Sequence, residues 1–301
     1  MIKKEREIPI RIQKLEALQR RLPPSHPKVQ QIKEDYLKAM AGYRGEQSID
    51  YYLSLLNTKK YTIFHDIRLP FKDTFFQIDT IIMTPYYILL LEVKNISGTL
   101  YFDEKFQQLI RTVNGKEEAF PDPLTQVNRQ TAQMMNWLSN HKISPVPVES
   151  LIIISSPYTI IKASNHSTLQ KKVIHSANLL EKINVFEKVH QHQSLTNKEL
   201  KKISTLLIKN HEKENLDILK KYDIHRSELL NGVHCPKCLA IPMQRLYSAW
   251  KCQSCQAVSK EAHIYSLNDY AHLVKTTISN RESGTSSLFH QGLLPITFLS
   301  L

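Results

Sequence analysis

Apolar and polar positions along the chain change period several times, and each change marks an element. Ile12, Leu15, Leu18 and Leu22 recur three or four apart among charged residues, which predicts a short amphipathic basic helix stopped by Pro23-Pro24. Such a helix either packs on a core through its apolar stripe or serves as a nucleic-acid arm. A second helix is predicted from about residue 27 to 57, kinked near Gly42 and Gly45, with Ile49, Tyr52, Leu53 and Leu56 at helical spacing. Strand-like runs follow at 61–69, 75–83 and 86–94, the last two joined by a turn at Thr84-Pro85. Residues 99–102 and 107–113 read as a hairpin, with Asn114-Gly115 as a turn signal. Asp122 then offers an N-cap and Pro123 a first helical position for a helix reaching about Asn140, which is expected to bury Val127, Met134, Met135, Trp137 and Leu138. Buried strands are predicted at 151–155 and 173–175. Charged helices are predicted at 177–190, 197–211 and 214–222, and the second opens on a Thr196–Glu199 capping box. His190, His192 and His211 are scattered through this region and read as solvent-exposed side chains. The whole is an α/β chain with an α+β, mixed sheet.

Two of the strand-like runs carry charges where apolar residues would be expected. Residues 86–94 end in Glu92-Val93-Lys94, and alternation puts Glu92 and Lys94 on one face. Asp79 interrupts the preceding run, and antiparallel pairing would bring it near Glu92. Charges at the mouth of a buried strand are costly to desolvate, so a cluster there marks a candidate site. Two carboxylates and a lysine suit a hard divalent cation, a scissile phosphate and a metal-bound water. An ion pair at the sheet edge is the bland alternative. Glu199-Leu200-Lys201 repeats the same tripeptide on a capped helix, where it reads as a solvated face. Glu46 follows Gly42 and Gly45, and it could point toward the carboxylate pair. On its own it reads as a first-turn helix acid that complements the dipole.

Together these positions resemble a known pattern. Gly42-x-x-Gly45-Glu46, Gln77-Ile78-Asp79 and Glu92-Val93-Lys94-Asn95 with Gly98 close behind resemble the nuclease-related domain, NERD, of the PD-(D/E)XK nuclease-like superfamily, over roughly residues 38–155. The resemblance implies a restriction-endonuclease-like core and a metal-dependent phosphodiesterase using Mg²⁺ or Mn²⁺. Asp79 and Glu92 would hold the catalytic metal, Lys94 would position or activate the attacking water, and Glu46 would be an auxiliary acid. Asp122-Pro123-Leu124-Thr125-Gln126 resembles the family's Asn-Pro-x-x-Gln helix start, with Asp for Asn, and so adds Gln126 to the site.

Charge distribution changes the picture in the same direction. The chain carries a net +12, yet residues 61–120 hold six Lys and Arg against eight Asp and Glu. A locally acidic segment within basic surroundings fits an enzyme acting on nucleic acid, DNA before RNA. Only seven glycines occur, and no Gly-x-Gly or Walker-type loop exists to cradle a nucleotide. No apolar run approaches the length of a membrane span, and the charged first residues lack the apolar core of a signal peptide, so a soluble, cytoplasmic protein without a membrane partner is expected.

All four cysteines fall in one window, Cys235-Pro-Lys-Cys238 and Cys252-Gln-Ser-Cys255. Paired Cys-x-x-Cys knuckles at this distance predict a structural Zn²⁺ site on a small β-hairpin, with disulfides the weaker reading. The segment is similar to the topoisomerase-type zinc ribbons attached to some NERD proteins. His234 is a possible stray ligand. Lys237, Arg245, Trp250 and Lys251 suit a basic, aromatic nucleic-acid contact or a contact with the rest of the protein. A short final helix is expected at 268–278. After Glu282 no Asp, Glu, Lys or Arg occurs, and no function is assigned to 283–301. The expected organisation is an N-terminal helical arm (1–37), a nuclease-like domain (38–175), a helical linker (176–231), a zinc ribbon (232–262) and a tail (263–301). The expected function is metal-dependent hydrolysis of phosphodiester bonds. The alternatives are a nucleic-acid-binding protein that keeps the fold without cleaving, and a protein-interaction scaffold.

Overall fold

The computed structural model of the chain describes residues 1–163 and 166–275. It divides into two units, each made of two stretches of chain. Met1–Glu7 and Ala41–Lys213 form the first, and Ile8–Met40 and the chain from Glu214 onward form the second. In chain order the elements begin with β1 (Ile2–Lys4), α1 (Ile10–Arg21), α2 (Val29–Ser48), α3 (Asp50–Ser54), β2 (Thr62–Phe71), β3 (Thr74–Met83) and β4 (Ile88–Lys94). They continue with β5 (Thr99–Asp103), β6 (Gln108–Val113), β7 (Lys116–Pro121), α4 (Pro123–Asn140), β8 (Val148–Ile154), β9 (Ile160–Ala163), α5 (His166–Lys172) and β10 (Val173–His175). Last come α6 (Leu179–Val189), α7 (Asn197–Asn210), α8 (Ile218–Tyr222), β11 (Gln244–Arg245), β12 (Trp250–Lys251), β13 (Val258–Ser259) and α9 (Ala262–Leu273).

The first unit is built on a mixed sheet in the order β1-β2-β3-β4-β8-β10. β2, β3 and β4 are antiparallel, while β1, β8 and β10 each join parallel to their neighbour. Thr84 closes the β3–β4 turn, its hydroxyl accepting from the Tyr86 and Tyr87 amides. β8 lies between two parallel partners, and Leu151 to Ile154 are all fully buried, as a strand covered on both faces requires. One face of the sheet, with Phe64, Ile81 and Leu90, packs on Met134, Trp137 and Leu138 of α4 and Ile203 and Leu207 of α7. The other, with Leu89, Leu91 and Ile153, packs on Ile49, on Leu53 of α3 and on Leu179, Ile183 and Phe186 of α6. A smaller sheet, β7-β6-β5-β9, lays Leu100, Phe102 and Leu109 against Ile152, Ile154 and Val127.

The inside–outside alternation slips at one place. On β2 the residues facing the α4 side step from Phe64 to Ile67, and on β3 from Ile78 to Ile81, three apart instead of two. Pairing stays in register across the slip, His65 opposite Thr80 and Ile67 opposite Ile78, but Asp66 takes a left-handed φ of 51°. The conformation is uncommon outside glycine, and Asp tolerates it better than most residues. The polar residues gather at this irregularity.

In the second unit, Leu15, Leu18 and Leu22 pack on Ile32, Ile218, Tyr222 and Leu273, so the basic helix uses its apolar stripe for a core. Beside it a three-stranded sheet, β11-β12-β13, carries the cysteines and packs Val233, Met243 and Trp250 on Tyr270 of α9.

Several expectations are corrected. α2 passes through Gly42 and Gly45 without interruption, and the helical stretch breaks instead at Ile49. β1 and β7 were not expected: the expected β5–β6 hairpin is present, and Asn114-Gly115 closes a further hairpin between β6 and β7. Met135 is 54% exposed and is not core. His190 is not a free surface side chain, because its Nε2 lies 3.1 Å from Glu149 Oε1. His211 likewise accepts the Arg68 amide at 3.2 Å. α9 runs Ala262–Leu273, starting and ending earlier than the expected 268–278, and residues 276–278, with 283–301, lie outside the described residues.

Candidate active site and cysteine cluster

β3 and β4 pair as far as Thr80 opposite Leu91, and the ladder stops there. Asp79 and Glu92 would be the next pair. Instead the Asp79 carboxylate turns into the opening between the strands, where its Oδ2 accepts the Val93 amide at 2.8 Å. Glu92 stands beside it, 5% exposed. Its Oε1 accepts from Lys94 Nζ at 2.7 Å and its Oε2 from Gln130 Nε2 at 2.9 Å. Lys94 also donates to Gln126 Oε1 at 3.0 Å. The two glutamines lie one turn apart on α4, whose start is fixed by the Asp122 cap: the carboxylate accepts the Leu124 and Thr125 amides at 3.1 and 3.0 Å. Gln126 thus reaches the strand fork through Lys94. Gln130 was not anticipated, although its position four residues after Gln126 on the same helix face is a legible signal. It also donates to the Gln77 carbonyl at 2.9 Å, joining Glu92 to β3.

Glu46 comes from the last turn of α2, not a first turn, so the dipole there opposes its charge instead of stabilising it. Gly45 lets the helix come this close. A Cβ at Gly45 would lie 2.4 Å from Asn95 Cβ and 3.1 Å from Ser155 Oγ, at the exits of β4 and β8. Asn95 Nδ2 fastens the same approach by donating to the Ala41 carbonyl at 2.7 Å. Glu46 Oε2 accepts from Arg6 Nη1 at 2.8 Å, and the same nitrogen lies 3.9 Å from Asp66 Oδ1. Neither Arg6 nor Asp66 was picked out from sequence. Burial, then the Asp66 charge, pushes the Glu46 carboxyl up from 4.5 to about 7. Burial likewise raises Asp66. Asp79 is raised well above the usual carboxylate range, by burial first and then by the charges of Glu92 and Glu46. The acids are therefore crowded, and their environment favours a proton or a cation among them.

The four cysteine Sγ atoms all lie within 4.8 Å of one another, and among the described residues this is the group of three or more His, Cys, Asp or Glu side chains that could hold a metal ion. Cys235 Sγ is 3.6 Å from Cys255 Sγ, and Cys238 Sγ is 3.5 Å from Cys252 Sγ. The two knuckles turn amides toward the sulfurs, Lys237 N to Cys235 at 3.4 Å and Cys255 N to Cys252 at 3.5 Å. The Cys255 amide is the main reason the Cys252 thiol falls from 9.0 to about 7. Four thiolates in a closed set are the donors a metal ion takes in a structural site. His234 is no ligand: its Nδ1 lies 3.3 Å from Asp269 Oδ2 and 3.1 Å from Ser266 Oγ. Trp250 is 2% exposed, in the core of its unit, so the expected aromatic contact with nucleic acid cannot use it. The exposed aromatic ring nearby is Tyr247, whose relative exposure is 102%.

Residues 41–155 match the nuclease-related domain, NERD. An uncharacterized protein of Bacillus anthracis is 25% identical over 183 residues, spanning 60% of this chain and 81% of that protein. No solved structure matches. The matched segment contains Glu46, Asp66, Asp79, Glu92, Lys94, Gln126 and Gln130, and Arg6 lies outside it. Among the described residues no helix is long and apolar enough to cross a membrane.

Proposed function

We propose that the chain is a metal-dependent nuclease that hydrolyses phosphodiester bonds, in DNA before RNA. The observation that carries this reading is the grouping of Asp79, Glu92 and Lys94 where β3 and β4 part, with Lys94 held by Gln126. Asp79 and Glu92 would hold Mg²⁺ or Mn²⁺, and the crowding that raises Asp79 is what a divalent cation relieves. Such a cation supplies Lewis acidity at the scissile phosphate. Lys94, fixed between Glu92 and Gln126, orients the attacking water and holds positive charge beside the phosphate. Gln130 keeps the Glu92 carboxylate turned toward Lys94. Glu46, able to carry a proton near neutral pH, is placed to donate one or to accept one close to the reacting groups.

The four thiolates would hold a structural Zn²⁺ and make the ribbon a folded module. Reduced thiols fit a cytoplasmic setting. The basic ribbon, through Lys237, Arg245, Lys251 and the exposed Tyr247, would assist binding of the polyanion. A second reading rests on the ion pairs themselves. Lys94 with Glu92 and Arg6 with Glu46 satisfy much of the acid charge without a metal, which suits a protein that binds nucleic acid without cleaving it. The test is purified protein on plasmid and single-stranded DNA with Mg²⁺ or Mn²⁺, beside Glu92→Ala. Metal-dependent cleavage that vanishes in the variant supports the nuclease. Salt-dependent binding without cleavage supports the second reading.

A further inference from the structure

Arg6 is the most heavily engaged charged side chain of the first unit. Its Nη1 donates to Glu46 Oε2 at 2.8 Å and lies 3.9 Å from Asp66 Oδ1. Its Nε and Nη2 reach Asp50 Oδ2 and Oδ1 at 3.3 and 3.1 Å. Nη2 also donates to Thr80 Oγ1 at 3.2 Å and lies 3.0 Å from His65 Nδ1. The side chain is 4% exposed, so it cannot itself reach a phosphate in solvent. Burying a guanidinium this far is costly unless nearly all its donors are used, and here they are shared among five side chains. The groups it joins come from three places: the end of α2 (Glu46), the start of α3 (Asp50) and the slip in β2 and β3 (His65, Asp66, Thr80). β1 delivers it, pairing Ile2 with Ile63 and Lys4 with Phe64 two residues before the arginine. Residues 1–7 therefore belong to the same unit as the strand fork, although they precede the matched segment by more than thirty residues.

We propose that Arg6 is a positioning residue of the active site, fixing the Glu46 carboxylate against Asp66 and so setting the geometry of the acids around Asp79 and Glu92. This rests on the nuclease reading. A lysine keeps the charge but has one point of attachment, so it cannot hold Glu46, Asp50, Asp66 and Thr80 in one arrangement. The effect is geometric, and misplacement by an ångström is enough to cost about a hundredfold in rate.

The experiment compares full-length wild type, Arg6→Ala, Arg6→Lys, Glu46→Gln and the Arg6→Lys/Glu46→Gln double variant. Folding is checked by near-ultraviolet circular dichroism, Mn²⁺ binding by electron paramagnetic resonance, and cleavage by kcat and KM. Arg6→Lys should stay folded, lose at least about tenfold in kcat with KM for DNA little changed, and bind Mn²⁺ more weakly. Adding Arg6→Lys to Glu46→Gln should then cost little more, because the arginine acts through the glutamate. Full activity and metal affinity in folded Arg6→Lys would overturn the proposal, as would independent, additive losses in the double variant. Wild type that binds Mn²⁺ and cleaves, with the variants unchanged, leaves the nuclease reading standing and removes only the role of Arg6. Wild type that neither binds Mn²⁺ nor cleaves overturns the nuclease reading and this role with it.

Discussion

Carboxylates crowd at the strand fork of the first unit and thiols crowd in the ribbon of the second, but their surroundings differ. Each acid has protein partners: Lys94 and Gln130 at Glu92, the Val93 amide at Asp79, Arg6 at Glu46. The cysteines face one another and a few backbone amides. The acid site sits on a six-stranded sheet covered by helices on both faces, whereas the ribbon strands are two residues each. The lesson is that one site is preorganised by the fold around it, while the other is framed mainly by its own two short knuckles. Trp137 lies in the core of the first unit and Trp250 in that of the second, so the comparison can be read one unit at a time.

The largest expected effect is on the ribbon. Chelation, or Cys252→Ser, should unfold the cysteine module, because metal binding to such a site supplies on the order of 10 kcal/mol or more of folding free energy. Emission from Trp250 should shift to the red while Trp137, followed in a Trp250→Phe background, keeps its native signal. Loss of the Trp137 signal on chelation would break the comparison. Freshly purified, reduced protein without about one zinc per chain would remove its basis.

Next in size is the fork. Glu92→Ala should reduce metal-dependent cleavage by about 10³-fold or more, while the melting midpoint of the first unit falls modestly, since relief of repulsion among the acids is offset by the lost Lys94 and Gln130 contacts. Unchanged cleavage would point to a different site. Smaller again is a pair of glycine substitutions. Gly45→Ala meets Asn95 at 2.4 Å and should cost about 1–3 kcal/mol, with a further loss in kcat as Glu46 is displaced. Gly42→Ala, with no atom within 4 Å of the new Cβ, should stabilise by roughly 0.5–1 kcal/mol. Equal effects at the two glycines, measured by urea denaturation, would contradict the close approach of α2.

The smallest effect is in pH, and it runs in opposite directions in the two units. The folded Glu46 carboxyl, held near 7 rather than 4.5, binds its proton more tightly than in the unfolded chain. The Glu46 contribution to metal-free stability is therefore present below about 4.5 and lost as pH rises to about 7. Asp66 and Asp79, also raised, act in the same sense. His65, held down near 4 by burial and the Arg6 charge, opposes this over part of the range. Metal-loaded thiolates must lose protons to bind, so the ribbon should gain stability over the upper part of the same range. Denaturation midpoints followed at Trp137 and at Trp250 should separate with pH, and parallel slopes would refute this.

The sequence showed much of the fork and little of its support. Asp79, Glu92 and Lys94 stood out because charges broke apolar strands, and Asp122 and Pro123 announced α4 by cap chemistry. Glu46 needed the resemblance, since an acid on a helix is ordinary. Arg6 and Asp66 gave no signal, because β1 is three residues in a charged stretch and nothing local marks a left-handed aspartate. β7 escaped for a similar reason: its residues are mostly exposed, so burial imposes no alternation. Trp250 misled because an aromatic among basic residues looks the same whether it faces a base or a core.

The interleaving of the two units has a consequence for how the chain is made. Leu15, Leu18 and Leu22 leave the ribosome early, yet Ile218, Tyr222 and Leu273, which cover them, are translated about two hundred residues later. At roughly 5–20 residues per second the apolar stripe of α1 waits on the order of 10–40 s for its cover. During that interval the first unit can close around β1 and the finished sheet, while residues 8–40 stay open to chaperones and proteases. The order of synthesis thus favours an order of assembly: every residue of the acid site is translated before the first cysteine.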